Sequence, residues 1–160
     1  MRIILTAIGR LKAGPERDLC ARYMERAAAS ARGVGLTGVE FREIEEGRAR
    51  RPEDRKAEEA RAIRALIPAG ARLVLLDERG KSVGSEAFAQ DIGRVRDSGT
   101  SAFVLAIGGP DGFDPQLRAE AHQVLAFGAM TWPHQLVRIM ASEQIYRAMT
   151  ILSGHPYHRV

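Results

Sequence analysis

The stretch SAFVLAIGGPDGF, residues 101–113, decides the fold class of this chain. Its unbroken apolar run, residues 102–107, is typical of a strand buried on both faces, as strands in parallel sheets are. Gly108 and Gly109 follow at once and let the backbone approach a ligand closely, and the Pro-Asp-Gly that comes next forms a tight turn. Ligands of open α/β sheets collect at the carboxyl ends of strands. The stretch therefore predicts a buried strand with a candidate site at its end, although GGPDG alone is equally compatible with a purely structural turn.

Working outward from this stretch, apolar segments and helical segments alternate along the whole chain. The predicted strands are RIILTAIG, LTGVEFREI, RLVLLDE, SAFVLAIGG and HQVLAFG, and the predicted helices span residues 15–31, 52–66, 85–97, 115–121 and 134–153. Pro52 suits a first helical turn, Ser85 is placed to cap its helix, and Gly154 would stop the last one. The alternation predicts an α/β fold with a mostly parallel sheet flanked by helices, built as one domain over residues 1–160.

Composition favours a soluble cytoplasmic protein. Of the 160 residues, 45% are hydrophobic and 28% are charged, which is ordinary for a globular protein. No apolar run approaches the roughly 20 residues that cross a bilayer, and the first residues lack the pattern of a signal peptide. Cys20 is the single cysteine, so no internal disulfide is expected. We predict no membrane association, and we interpret Cys20 as core filling.

A net charge of +4 favours anionic partners without identifying one. The segment GRARRPEDRKAEEARAIR, residues 47–64, begins with the arginine cluster Arg48–Arg51 and continues as a helix of mixed charge. The helical part is typical of a solvated face. The cluster, in a predicted loop, is a candidate for phosphate contact.

Several enzyme classes lack their signatures in this sequence. There is no G-x-x-x-x-G-K-[ST] phosphate loop, and GGPDG is not the G-x-G-x-x-G that opens a dinucleotide-binding helix. A serine-hydrolase elbow is absent. His155 and His158 would need further ligands to hold a metal ion, and no such framework accompanies them. We therefore predict no metal.

The last quarter of the chain concentrates groups that can carry chemistry. All four histidines lie there: His122, His134, His155 and His158. His134 and Arg138 stand four apart on one face of the predicted last helix. The tail SGHPYHRV then adds a tyrosine and an arginine between and after two imidazoles, which titrate near neutral pH. A surface-packed tail without a chemical role is the alternative.

Three segments together resemble one family. They are LLDERGK (75–81), LAIGGPDGF (105–113) and MTWPHQLVRIMASEQIYRAMTILSGHPYHR (130–159). In this order and at these separations they resemble the small bacterial SPOUT-class methyltransferases that modify N3 of a pseudouridine in 23S ribosomal RNA. The likeness covers nearly the whole chain. Trp132 and Gln135 depart mildly from the family pattern, at positions to which we assign no catalytic role.

The resemblance implies a fold and a cofactor that periodicity alone does not. It implies a trefoil knot formed by the C-terminal segment, a homodimer, and S-adenosyl-L-methionine held by the knot loops. By position, the cofactor contacts would be Leu76, Gly108, Phe127, Gly128, Ala129, Met130, Thr131 and Trp132. Small residues there would let main-chain groups read the adenine edge, and apolar side chains would enclose its ring.

The resemblance also implies catalytic and RNA-binding roles for residues of the tail. His155 or His158 would accept the N3 proton, and Tyr157 would stack on the base or hydrogen-bond to it. Arg159 and Arg138 would hold phosphates or favour the ionised base. A partner chain's tail can complete such a site.

The substrate expected from the resemblance is 23S rRNA within the assembled ribosome, since the chain has no accessory RNA-binding domain. Two alternatives remain open. One is a SPOUT methyltransferase for another rRNA or tRNA position, and the other is a non-catalytic RNA-binding ribosome-assembly factor. Cofactor binding separates the second alternative from the first.

Overall fold

Five strands form one sheet in the computed structural model, which describes residues 1–159. They are β1 (Arg2–Ile8), β2 (Gly38–Ile44), β3 (Arg72–Ser82), β4 (Ala102–Ile107) and β5 (Gln123–Ala126). The helices are α1 (Pro15–Ala31), α2 (Pro52–Leu66), α3 (Ser85–Asp97), α4 (Pro115–Glu120) and α5 (His134–Ser153), with a short 3-10 turn at Arg32–Val34. The sheet order is β2-β1-β4-β3-β5, and every pairing is parallel. The predicted α/β fold is confirmed.

The two central strands, β1 and β4, have nearly every side chain buried. They pair directly, from Arg2 against Ala102 onward. Alternate side chains of β1 serve opposite faces of the sheet, because side chains alternate along a strand. Ile3 and Leu5 pack in the core with α1, α3 and α5, whereas Ile4 and Ile8 pack in the core with α2 and α4. Helices therefore cover both faces, which is why these strands are apolar except for Arg2 and Thr6 of β1.

Helix ends lie where prolines and glycines in the sequence predict them, with one correction. α1, α2 and α4 carry proline in the first turn, and Gly154 ends α5 in the left-handed conformation, with φ of 69°. The prediction that Ser85 caps α3 is wrong, because Gly84 occupies the cap position and Ser85 is the first helical residue. The Ser85 hydroxyl instead donates to the Gln144 side-chain oxygen, 2.8 Å away on α5.

β3 is longer than the sequence predicts, and its pairing with β5 is irregular. Leu125 pairs with Leu76 and again with Lys81, so residues 77–80 form an irregularity between two regular pairings. Gly80 lies at the closest approach, where a Cβ atom would stand 2.4 Å from the carbonyl carbon of Leu125. Only glycine fits there without backbone movement. The trefoil knot that the resemblance implies stays a prediction.

α5 is the longest helix, and it packs against α1 and α3 on one face of the sheet. Across residues 1–159, no helix is long and apolar enough to cross a membrane.

Candidate functional site

A cavity of about 250 Å³ lies between the carboxyl-terminal parts of β3 and β5 and the helices α3 and α5. Its lining residues are Leu76, Ser82, Val83, Ser85, Phe88, Leu105, Leu125, Ala126, Phe127, Gly128 and Gln144. Most of the wall is apolar, and the polar groups are the serine hydroxyls and the amide of Gln144. Such a combination is typical of a small-molecule site, where a few polar groups orient a mostly apolar ligand.

Three of the residues predicted to bind a cofactor line this cavity: Leu76, Phe127 and Gly128. Gly128 has φ of 100°, which favours glycine because a side chain would strain the backbone. The chain therefore turns sharply as it leaves β5, and its backbone forms part of the wall.

The other four residues of the predicted segment, 129–132, form a loop outside the cavity wall. The Thr131 hydroxyl donates to the Glu78 carboxylate at 3.1 Å, and the Trp132 indole N–H donates to the Phe127 carbonyl at 3.3 Å. Met130 is 72% exposed. Ala129 is exposed, whereas the wall residues Phe127 and Gly128 beside it are half-buried. The loop is thus fixed to β3 and to the cavity rim, with an apolar side chain facing solvent.

Gly108 lies apart from the cavity, at the end of β4. A Cβ atom there would stand 3.2 Å from the Phe113 ring, and Gly109 forms an isolated bridge with Gly112 across the Pro-Asp-Gly turn. Gly108 instead borders a small cleft that also includes Glu59. The structure therefore does not bring Gly108 together with Leu76 and Phe127, and its cofactor contact stays a prediction.

The tail folds back on α5. The His155 backbone N–H donates to the Thr150 carbonyl at 2.9 Å, which turns the chain at the end of the helix. The Tyr157 hydroxyl then donates to the Glu143 carboxylate at 3.0 Å, and its ring centre lies 4.8 Å from that of Tyr146. The guanidinium of Arg147 stands 4.9 Å from the Tyr157 ring centre. Aromatic and cation contacts thus hold the tail in place.

Both tail histidines have one ring nitrogen engaged. His158 Nδ1 lies 3.2 Å from an Arg147 guanidinium nitrogen, and His155 Nδ1 accepts the Tyr157 backbone N–H at 3.1 Å. Because guanidinium and backbone N–H groups only donate, each Nδ1 must accept, and the proton of each neutral ring lies on Nε2. His158 Nε2 faces Glu86, 3.6 Å away. Neither ring offers a free lone pair in this arrangement.

Tyr157 is held as a neutral phenol. Burial raises the pKa of its hydroxyl well above the ordinary value, and hydrogen bonding to Tyr23 and Glu143 raises it further. Tyr157 is therefore suited to donating a hydrogen bond or stacking, and not to acting as a base.

A chain of hydrogen bonds joins the cavity wall to the tail. Ser85 donates to Gln144 at 2.8 Å, Gln144 donates to Glu143 at 2.9 Å, and Tyr157 donates to the same carboxylate at 3.0 Å. Arg147 also pairs with Glu143, at 2.9 Å from its Nε. One carboxylate on α5 therefore organises the polar groups between the two predicted parts of the site.

Sequence reasoning did not assign Glu143, Gln144 or Ser85 to the site. The only signal was the four-residue spacing of Glu143 and Arg147, which is equally typical of an ordinary surface ion pair. The contact of Glu143 with Tyr157 depends on the tail reversing at Gly154, and no local pattern shows that reversal.

Arg138 lies near the other end of α5, away from the tail. It is only 4% exposed and donates to the Ile8 carbonyl at 2.6 Å and to the Glu43 carboxylate at 3.0 Å. Burial lowers the pKa of its guanidinium, and Glu43 opposes that effect. The predicted phosphate contact would require Arg138 to leave these partners. His134 and Arg159 are exposed.

Cys20 lies beside Arg138 in the core, with its sulfur 3.0 Å from the Ser142 hydroxyl. Burial raises the pKa of its thiol, which disfavours the thiolate that a nucleophile requires. In the described part of the chain, residues 1–159, no group of three His, Cys, Asp or Glu side chains is placed to hold a metal ion.

Known proteins are similar to this chain over nearly its whole length. A family model described as predicted SPOUT methyltransferase matches residues 1–158. The chain is 58% identical over 159 residues to the ribosomal RNA large subunit methyltransferase H of Beijerinckia indica, with 99% of each chain covered. Its identity to the proteins of the same name from Rhizobium meliloti and Brucella anthropi is 57% and 55%, again over 159 residues and 99% of each chain. The chain belongs to the SPOUT methyltransferase family.

Proposed function

We propose that this protein transfers a methyl group from S-adenosyl-L-methionine to N3 of a pseudouridine in 23S rRNA, acting in the cytoplasm on the assembled ribosome. Family membership supports methyl transfer, and the printed names of the relatives support ribosomal RNA as the substrate. The observation that carries the proposal is the cavity beside β3 and β5, joined through Gln144 and Glu143 to the tail.

The cavity fits the less polar part of the cofactor. Leu76, Leu125 and Phe127 supply apolar surface for a flat ring, and Ser82 and Gln144 supply hydrogen-bonding groups. Its volume of about 250 Å³ is below the roughly 300–1,000 Å³ usual for ligand sites. The remainder of the ligand would therefore lie against the exposed loop 129–132. When bound, S-adenosylmethionine supplies an activated methyl group on its sulfonium.

The tail residues would prepare the RNA base. The N3 position of pseudouridine is a weak acid, so its proton must leave before or as the methyl group arrives. His155 or His158 would take that proton once its Nδ1 is released from Tyr157 or Arg147. Tyr157, kept neutral, would stack on or donate to the base, and Arg159 would contact RNA phosphates. Alignment of the reacting groups would contribute much of the rate.

A homodimer would complete the assembly. Three large apolar side chains within seven residues of sequence are exposed on the loop and first turn of α5, namely Met130, Trp132 and Leu136. Exposed apolar surface of this kind is typical of an interface. It adjoins the cavity rim, so a second copy seated there would place its own residues near the ligand.

Labelled methyl transfer tests the proposal. Purified protein, S-adenosylmethionine with a labelled methyl group, and ribosomes, isolated subunits or naked 23S rRNA would be combined, and the modified base would be mapped. We expect label at N3 of one pseudouridine of 23S rRNA, most efficiently in assembled ribosomes. Label at another base would favour a different RNA specificity. Absence of both labelling and cofactor binding would favour a non-catalytic assembly factor.

A further inference from the structure

The loop that joins β2 to α2 exposes a cluster of guanidinium groups. We call residues 47–51 the arginine loop. The side chains of Arg48 and Arg51 are 86% and 76% exposed, and Arg50 is also exposed. Three arginines within four residues can supply many N–H donors to phosphate oxygens, because each guanidinium carries five.

The backbone of the arginine loop is fixed by side chains of α2. Glu58 accepts the backbone N–H groups of Arg48 at 2.8 Å and Ala49 at 3.3 Å, and Glu59 accepts that of Gly47 at 3.0 Å. From the same helix, Arg55 donates to the carbonyl of Ala49 at 3.1 Å and to that of Arg50 at 2.9 Å. An exposed loop is usually the more mobile part of a fold. This one has its main chain held at five points.

Gly47 shows how tightly the loop packs on the helix. A Cβ atom at this position would stand 2.7 Å from the Arg55 carbonyl oxygen and 2.8 Å from its Cα. The backbone of the loop therefore packs directly against the backbone of α2. An outward shift of the loop would break this contact. Fixing a loop before it binds reduces the conformational entropy lost on binding.

The arginine loop lies at the same edge of the sheet as the cavity. All five strands are parallel, so the residues that follow β2, β4 and β3 emerge together. Arg55 Nε also donates to Asp111 at 2.7 Å, which ties the base of the arginine loop to the turn after β4. The loop, the turn and the cavity therefore lie at the same end of the strands, the loop on the face of the sheet that α2 covers and the cavity on the face that α3 and α5 cover.

The arginines of the loop form only weak ion pairs with nearby carboxylates. Arg48 pairs with Glu45 at 3.0 Å and Arg51 with Asp54 at 2.9 Å. Ion pairs between exposed side chains contribute only about 0–1 kcal/mol. A phosphate can therefore displace such a partner or share the guanidinium with it.

We propose that the arginine loop is a preordered binding surface for the phosphodiester backbone of the RNA substrate. The inference rests on the proposed function for the identity of that RNA. The five hydrogen bonds orient the loop, and the exposed guanidinium groups contact phosphates. The parallel sheet places this surface at the same end of the strands as the cavity. The contact is made to the backbone and carries no sequence information.

A matched pair of charge changes tests the contact. Binding of the full chain to naked 23S rRNA would be measured over a range of salt concentrations for Arg48→Gln/Arg50→Gln and for Arg32→Gln/Arg94→Gln. The control arginines are exposed and lie near the opposite edge, before β2 and before β4. We expect the salt slope to fall by about one unit per loop arginine removed and to be nearly unchanged in the control. Equal slopes in the two variants would overturn the proposal.

A second variant distinguishes the effect of loop order on RNA binding from the effect of charge alone. Glu58→Ala removes a negative charge beside the loop, so electrostatics alone would tighten RNA binding. The proposal predicts the opposite, weaker binding with an unchanged salt slope, because the two N–H groups that Glu58 holds are released. Binding as tight as wild type, or tighter, would overturn the preordered surface.

Methyl transfer by the wild type keeps this test separate from that of the proposed function. Wild type that methylates 23S rRNA while the loop variants bind like the control would overturn the loop alone. Wild type that binds RNA through the loop without methylating it would remove the proposed reaction and leave the loop supported. Loop-dependent binding to vesicles of anionic phospholipid with no RNA binding would overturn the RNA assignment.

Discussion

Arg138 illustrates how burial changes the role expected of a residue. Its guanidinium joins α5 to the end of β1 through the Ile8 carbonyl and to β2 through Glu43. Its Nε is buried without a hydrogen-bond partner. A residue in this position contributes first to stability, because removing it leaves a buried carbonyl and a carboxylate without their partner.

We expect Arg138→Met to lower the free energy of unfolding by about 2 kcal/mol or more. The loss of stability is limited because the Glu43 side chain is 28% exposed and water can hydrate it. Urea unfolding measures the change, and Arg22→Met, at an exposed residue of α1, serves as the control. Full stability combined with weakened RNA binding would instead support the phosphate contact predicted from sequence.

Glu59 is a buried carboxyl that gives stability a pH dependence of unusual sign. Burial raises its pKa, Asp111 and Glu46 add to the effect, and the hydrogen bond from Gly47 opposes it. The unfolded carboxyl therefore ionises at lower pH than the folded one. The contribution of Glu59 to stability is present in full below the ordinary pKa of a glutamate carboxyl, about 4.3. It is lost as pH rises through the pKa that this carboxyl has in the folded protein.

For this reason Glu59→Gln should be more stable than wild type at neutral pH, and the two should converge as pH falls to about 4. The amide oxygen can still accept the Gly47 N–H, so the loop contact is preserved. Urea unfolding from pH 4 to 8 provides the comparison. A stability difference that does not change with pH would show that Glu59 titrates normally.

At the scale of elements, Gly80 is where β3 and β5 come closest. Gly80→Ala would place a Cβ atom 2.4 Å from backbone of Leu125, and backbone cannot rotate away as a side chain can. We expect a loss of stability of about 1–3 kcal/mol and weaker cofactor binding, because Leu125 lines the cavity. Gly33→Ala is the control, since nothing lies within 4 Å of its Cβ position. Similar thermal stability of the two variants would contradict the close approach.

The tail can be separated from the cavity because the lining residues end at Gln144. Removing residues 155–160 should abolish methyl transfer and leave cofactor affinity nearly unchanged. Of His155→Ala and His158→Ala, the one that removes the proton acceptor should lose roughly 10²–10⁴-fold in single-turnover rate. That loss should diminish at higher pH, as N3 ionises unaided. A truncated protein that methylates at the full rate would make the tail structural.

Element positions were largely predictable, and contacts between elements were not. Prolines mark the starts of α1 and α2 and Gly154 marks the end of α5 by local stereochemistry, and the predicted bounds of α1, α2, α3 and α5 are confirmed. The extension of β3 through polar residues 77–82 depends on pairing with β5, which no local pattern reveals. Helical spacing placed His134 and Arg138 on one face, yet it could not show that Arg138 is buried. Likewise, of the eight cofactor contacts that the resemblance implies, Leu76, Phe127 and Gly128 line the cavity, whereas Ser85 and Gln144 enter it from other elements.

For the whole molecule, the exposed apolar residues Met130, Trp132 and Leu136 lead us to expect a homodimer at micromolar concentration. Sedimentation equilibrium should give twice the chain mass of 17.5 kDa. Leu136→Asp, which places a charge on this surface, should shift the protein toward monomer without unfolding it. A 17.5 kDa particle for the wild type throughout that concentration range would contradict the dimer.

The pairing of β1 with β4 has a consequence for how the chain reaches its folded state. Arg2 lies beside Ala102, so the centre of the sheet forms only after about a hundred residues of chain have been brought together. Contacts this distant in sequence slow folding, because the entropy of closing the loop is lost before the contact is gained. During synthesis, one edge of β1 would keep its backbone N–H and C=O groups unpaired until β4 leaves the ribosome. That edge is where premature association between nascent chains would begin.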